Sequence, residues 1–224
     1  KSIAFVSDRS SNADLNYGSD VWSVMVDENN HPLTQVTTHA GRDYSPAWSP
    51  DSKSVAYITT SGPDIGGSAL TPTRHLATTR VGQDERSVLT PDLDRNLSNP
   101  TFSDDGKTIY FRLEDEGQNH LASVDVDGEN LERIIERQVS IGSFAIHGQT
   151  AVLTMGQAHQ PSEVFSYRNG DLRQLTNVNE SVLGNVARAD VEKLQFTSAD
   201  GTPVEAFFVR PLNRQRKHTV QTVA

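Results

Sequence analysis

Apolar residues in this chain recur in short alternating runs, each bounded by Gly, Pro, Asp, Asn or Ser. No stretch carries a long apolar stripe at helical period with caps, so the pattern predicts a nearly all-β protein. One cassette returns. Ser45-Pro46-Ala47-Trp48-Ser49-Pro50-Asp51-Ser52-Lys53-Ser54-Val55-Ala56-Tyr57 is followed by Asn99-Pro100-Thr101-Phe102-Ser103-Asp104-Asp105-Gly106-Lys107-Thr108-Ile109-Tyr110-Phe111, an offset of 54 residues from Trp48 to Phe102. The opening Lys1-Ser2-Ile3-Ala4-Phe5-Val6 matches Lys53-Ser54-Val55-Ala56-Tyr57-Ile58 at an offset of 52. A weaker copy begins at Phe144, 42 residues after Phe102, and places His147-Gly148 in the turn. Each cassette predicts a hairpin: a short strand with one aromatic, a polar turn, then a second apolar strand.

The segment after each cassette repeats as well. Third strands are predicted over Val21 to Val26, His75 to Val81, His120 to Val126 and Glu163 to Tyr167. Fourth strands ending near Leu-Thr come next, over Leu33 to Thr37, Ser87 to Thr90, Leu131 to Ile135 and Leu172 to Thr176, with Asp127-Gly128 and Asn169-Gly170 as hairpin turns. Four antiparallel strands per unit of about 40–50 residues describe a propeller blade. The fold class is therefore all-β, a WD40-like β-propeller fragment of about four blades followed by a β-hairpin. The units fall at about 1–42, 43–97, 98–140 and 141–181, and the first lacks its innermost strand. Two arrangements stay open: an arc of a larger ring, with an N-terminal part missing, or a small ring closed by the C-terminal segment. The break in the repeat after Thr176 favours the arc. Trp48 and Phe102, at equivalent positions of repeated strands, are predicted to fill the space between neighbouring blades rather than to stack on a ligand.

Residues 182–211 hold a different hairpin, Glu192 to Arg210, with Asp200-Gly201 at its turn and Pro211 ending it. Its Ser198-Ala199-Asp200-Gly201-Thr202 resembles the junction where the propeller of the prolyl oligopeptidase family hands over to its α/β-hydrolase domain. Gly170-Asp171-Leu172-Arg173-Gln174-Leu175-Thr176 looks like that family's last blade, and Leu89-Thr90-Pro91-Asp92-Leu93-Asp94-Arg95-Asn96 and the Phe102 cassette are similar to its earlier ones. The resemblance is closest to bacterial acylaminoacyl-peptidase-like members. It implies a serine peptidase in which Ser attacks the carbonyl, His shuttles the proton and Asp orients the His. None of the three can be placed here: the nearest string to a nucleophile elbow, Gly66-Gly67-Ser68-Ala69-Leu70, lacks the last Gly and sits in a loop. The catalytic group is expected after residue 211 of a longer protein, and this chain is expected to be inactive alone. The tail, 212–224, is basic and polar and reads as disordered.

Composition narrows the alternatives. The 224 residues carry a net charge of −9, which argues against tracking nucleic-acid phosphates. No apolar run is long enough for a membrane span. There is no Cys, which removes disulfides and thiolate metal sites and leaves the compartment, cytoplasmic or periplasmic, open. The seven His form no ligand-spaced pair, and Asp92/Asp94 and Asp125/Asp127 lack the full calcium-loop pattern, so no metal or cofactor is expected. Asp127-Gly128 is read as a turn. Asn96-Leu97-Ser98 and Asn179-Glu180-Ser181 match the glycosylation pattern, which short polar loops meet by chance.

The loops that leave strands two and four emerge on one face. That face carries Thr59 to Arg74, Arg42-Asp43, Asp92 to Arg95 and Glu114 to Gln118. Asp64, Arg74 and Arg95 are the candidate residues for meeting the hydrolase domain or lining the substrate route. Two function classes are open: a propeller segment partnered by its own hydrolase domain and a peptide substrate, or a stand-alone binding propeller similar to that of the periplasmic Tol system. An open arc also predicts self-association through uncovered blade edges.

Overall fold

The computed structural model describes residues 1–13, 18–26, 31–39, 41–60, 73–83, 85–135, 137–158 and 160–212. Its strands are β1 (Ser2–Ser7), β2 (Asp20–Met25), β3 (Leu33–Gln35), β4 (Asp43–Trp48), β5 (Ser54–Thr60), β6 (Arg74–Arg80), β7 (Arg86–Val88), β8 (Asn96–Phe102) and β9 (Thr108–Asp115). They continue as β10 (Gln118–Asp125), β11 (Glu132–Arg133), β12 (Ser140–His147), β13 (Thr150–Gln157), β14 (Gln160–Arg168), β15 (Asp171–Gln174), β16 (Val191–Thr197) and β17 (Pro203–Val209). A single helical turn, α1 (Glu180–Leu183), precedes β16. The sheets are β1-β2-β3, β4-β5-β6-β7, β8-β9-β10-β11, β12-β13-β14-β15 and the hairpin β16-β17. Each four-stranded sheet is an antiparallel meander. β8 begins at Asn96, so the second and third units divide two residues earlier than the expected boundary at 97.

The first sheet has three strands, and β1 stands where strand two stands elsewhere. The Val26 amide donates to the Lys1 carbonyl as the Val81 amide does to Lys53 and the Val126 amide to Lys107.

The cassette's chemistry explains each hairpin. Tyr44 and Ala47 oppose Ile58 and Ala56, so β4 carries one extra residue; Ser98 and Thr101 oppose Arg112 and Tyr110, and β8 does the same. The extra residues, Ser45 and Asn99, are left-handed with φ of 54° and 56°. Each precedes a proline (Pro46, Pro100), which has no N–H for the ladder and is tolerated where pairing is already broken. The Ser-x-Asp turn then closes on itself. Asp51 Oδ1 accepts from Ser49 Oγ at 2.6 Å and the Lys53 amide at 3.1 Å, while Ser49 Oγ accepts from the Ser54 amide at 2.9 Å. Ser103, Asp105, Lys107 and Thr108 repeat these bonds at 2.7, 3.1 and 3.0 Å. Ser198 and Asp200 reuse the device in the β16-β17 hairpin, where the Thr202 amide donates to Asp200 at 3.0 Å.

The fourth unit is built on the same plan with a shorter turn. Trp48 opposes Val55 and Phe102 opposes Ile109, whereas Ala151, which stands 42 residues after Ile109, opposes Ile146. The structural counterpart of Trp48 and Phe102 is therefore Ile146 rather than Phe144; the turn has lost two residues with its Ser-Pro-Asp.

The core lies between consecutive sheets. Val21, Val36, Val55, Tyr57 and Ala77 join the first two, with Trp48 packed against them. Ile58, Leu76, Leu97, Phe102, Ile109 and Phe111 join the second and third, and Leu121, Ile135, Ile141, Leu153 and Met155 join the third and fourth. Trp48 and Phe102 thus fill inter-sheet space, as their repeat position predicts. Burying such a side chain fully is worth about 1.5–3 kcal/mol. The turns also touch: Asp104 of the third sheet accepts from the Gly148 amide of the fourth at 2.8 Å.

Candidate functional site

Alternation along β9 places Ile109, Phe111, Leu113 and Asp115 on one buried face, so the chain drives a carboxylate into the core at the strand's end. Asp115 is 8% exposed and has two guanidinium partners. Arg95, from the connection between β7 and β8, donates Nε to Asp115 Oδ1 at 2.5 Å and Nη1 to the Asp94 carbonyl at 2.6 Å. Arg133 of β11 donates Nη2 to the other oxygen. Burial pushes the Asp115 carboxyl up, but the bonds and charges of Arg95 and Arg133 outweigh it and hold the group below its ordinary value.

Arg95 borders a cavity of about 530 Å³ whose walls also include Asp94, Glu114, Glu116 and Glu205. Glu205 belongs to β17, so the hairpin reaches this face. Lys193 of β16 lies between Glu116 at 2.8 Å and Glu205 at 2.9 Å. Phe207 of β17 rests on Gly117, the second residue of the turn between β9 and β10. A Cβ built there would come within 2.6 Å of the ring. Glycine is needed twice over at this position, for the close approach and for a φ of +70°.

The three residues nominated from sequence fare differently. Arg95 lies in the cluster just described. Arg74 starts β6 opposite Thr60, and its charge acts on Tyr44, whose hydroxyl burial pushes up while Arg74 and Arg42 pull it down. Asp64 lies outside the described residues, as do all but the ends of its loop and the tail beyond 212. Sequence reading put Asp115 on the loop face without nominating it, and it missed Arg133, Lys193 and Phe207. The strand parity of Asp115 could have revealed it; the others depend on pairings between distant segments. The Asp125 and Asp127 carboxylates accept bonds from Thr108, Asn130 and the Glu129 amide, which is the geometry of a hairpin turn.

No known family model matches the chain. Among curated proteins it is similar to dipeptidyl-peptidase 5 of Porphyromonas gingivalis, 24% identical over 187 residues, covering 80% of this chain and 27% of that protein. Among solved structures, the acylaminoacyl peptidase of Pyrococcus horikoshii superposes with a TM-score of 0.69 at 15% identity, covering 95% of this chain and 31% of its own. The β-propeller domain of the Trilobed protease from Pyrococcus furiosus, which has an open velcro topology, gives 0.59 at 16% identity, covering 83% of this chain and 51% of its own. TolB from Acinetobacter baumannii gives 0.57 at 19% identity, covering 95% and 48%.

The stacked antiparallel sheets and these neighbours define the chain as a β-propeller segment with an appended hairpin. Its neighbours include acylaminoacyl peptidases, the propeller domain of a protease and TolB, in line with the resemblance read from the junction. The chain spans about a quarter to a third of the length of the first peptidases it matches.

Proposed function

We propose that this chain is the non-catalytic propeller segment of a prolyl-oligopeptidase-type serine peptidase, and that its loop face gates peptide access to a hydrolase domain opened by β16-β17. The observation that carries this reading is the seating of the hairpin on the loop face, through Phe207 on Gly117 and Lys193 between Glu116 and Glu205. A domain continuing from β17 would start against that face, and a covered face excludes water and large substrates while admitting short peptides. In this reading Arg95, held by Asp115, and Arg74 belong to the wall of the substrate route.

The test uses the full polypeptide that the gene encodes. A fluorophosphonate probe should label a serine beyond the hairpin, and short chromogenic peptides should be cleaved while a folded protein is not. Absence of both labelling and cleavage refutes the proposal. A second reading, a stand-alone binding propeller, is favoured by the TolB likeness over 95% of this chain. It is supported if the unlabelled polypeptide instead retains a protein partner.

A further inference from the structure

We propose that the open cavity between the hairpin and the turns of the third and fourth sheets is a binding site for an apolar carboxylate. It has a volume of about 750 Å³, within the usual range for small-molecule sites. Val139, Val191, Phe207 and Val209 supply apolar wall, and Arg188 and Lys193 supply cations. Among the described residues no carboxylate lines it, although the chain has 29 acidic residues against 20 basic ones. Lys193 is already compensated by Glu116 and Glu205, which leaves Arg188 as the anion partner. Arg188 donates Nη2 to the Leu183 carbonyl at 3.2 Å, a bond that fixes the side chain without neutralising it. A planar guanidinium beside apolar wall suits a carboxylate whose tail is apolar. Across the Gly117–Phe207 contact, the 530 Å³ cavity is walled, among the described residues, by Asp94, Glu114, Asp115, Glu116 and Glu205 against Arg95 alone, an acidic excess that repels the same group. The two cavities therefore sort charge on either side of the docked ring.

The chemistry is shared by two sources, the C-terminal end of a peptide with an apolar last residue and a medium-chain fatty acid. The site's role as a substrate subsite rests on the proposed function, but binding is read on this chain alone. Calorimetric titration with N-acetyl-leucyl-phenylalanine and with octanoate, each beside its neutral amide, separates the sources. At least one acid should bind tenfold or more tightly than its amide. Arg188→Ala should erase that preference, Arg188→Lys should keep part of it, and Ala189→Phe should block entry. Preference for the peptide acid assigns a peptide terminus; preference for octanoate assigns a fatty acid. Equal binding of acids and amides, no binding at millimolar concentration, or an unchanged preference in Arg188→Ala overturns the site. Such a failure beside serine labelling of the full polypeptide removes the site and spares the proposed function.

Discussion

Replacing Gly117 by alanine tests whether the hairpin is held by the propeller face or merely lies near it. Two contributions can be separated. A side chain at φ of +70° costs about 1–2 kcal/mol wherever it occurs. The new Cβ would also lie 2.6 and 2.7 Å from Phe207 Cε2 and Cζ, so the ring must lift. Phe207 is 49% exposed, so about half of a phenylalanine's burial, about 1 kcal/mol, is at stake in the contact. That shifts a docked-to-undocked equilibrium about fivefold. Gly82→Ala is the control, because its φ is +81° and nothing lies within 4 Å of the added carbon. Both variants should lower the urea midpoint, Gly117→Ala by about 1 kcal/mol more because it also loses the ring contact. Trypsin cleavage at Lys193, whose side chain is 19% exposed in the docked state, should accelerate about fivefold in Gly117→Ala and in Phe207→Ala, but not in Gly82→Ala. Equal cleavage rates in all variants would refute the clasp.

Three further outcomes are expected. Ser52 holds the left-handed position (φ 60°) that Gly106 and Gly201 occupy in the sister turns, so Ser52→Gly should raise stability by about 0.5–1 kcal/mol, read as a higher urea midpoint at unchanged slope. Asp115→Asn strips the charge from beneath Arg95 and Arg133 and should cost about 1–3 kcal/mol in the same assay, the lower end reflecting the 48% exposure of Arg95. Stability should fall on acidification from about pH 4.5 toward 2. Thr176 Oγ and the amides of Asn179 and Val178 hold Glu163 at about 2, and Ser198 and the Thr202 amide do the same for Asp200. A depressed folded-state value means that the unfolded chain binds more protons in this window, so the stabilisation is present above it and lost on entering it. Asp20 and Asp43 run the other way, since burial raises both, but the lowered groups also include Asp51, Asp105, Asp115 and Glu205. Denaturation midpoints measured from pH 6 to 2.5 check the slope, and Glu163→Gln should flatten it.

Much of this arrangement was legible because the cassette is local. Ser-x-Asp and the residue in fourth place fix the turn with bonds spanning at most five residues, so composition alone marks it. Period-two alternation then places Val55 and Tyr57, or Ile109 and Phe111, toward a neighbouring sheet. What sequence could not supply is the pairing of distant segments. Arg133 meets Asp115 across 18 residues and two strands, and Lys193 meets Glu116 only because the hairpin folds back over the third sheet. The assignment of Phe144 to the aromatic position failed for a related reason. Matching second strands carried the alignment, while the shorter turn moved the first strand by two residues and put Ile146 there.

The third sheet departs from its sisters at one repeated position, and the departure falls where the hairpin docks. Val21, Leu76 and Val164 each donate their amide to a threonine hydroxyl just past strand four, Thr37, Thr90 or Thr176, at 2.9 Å. The residue before each reaches the same threonine: Asp20 and Glu163 accept from its hydroxyl, and His75 bonds to the Thr90 carbonyl at 2.7 Å. In the third sheet the threonine's place is taken by Ile135, which is 3% exposed and packed with Leu121, and among the described residues neither ring nitrogen of buried His120 has a partner. An unsatisfied buried donor costs about 1–3 kcal/mol, while burying an isoleucine returns about 1.5–3 kcal/mol. The exchange is close to neutral for stability, so stability alone does not account for it. Strand β11 leads into Ile135 and carries Arg133, the second guanidinium on Asp115. A blade that gives up the threonine tie at its fourth strand and places an arginine there gains an anchored Arg95 beside the turn that Phe207 covers. That links the sheet without the threonine tie to the face on which the hairpin docks.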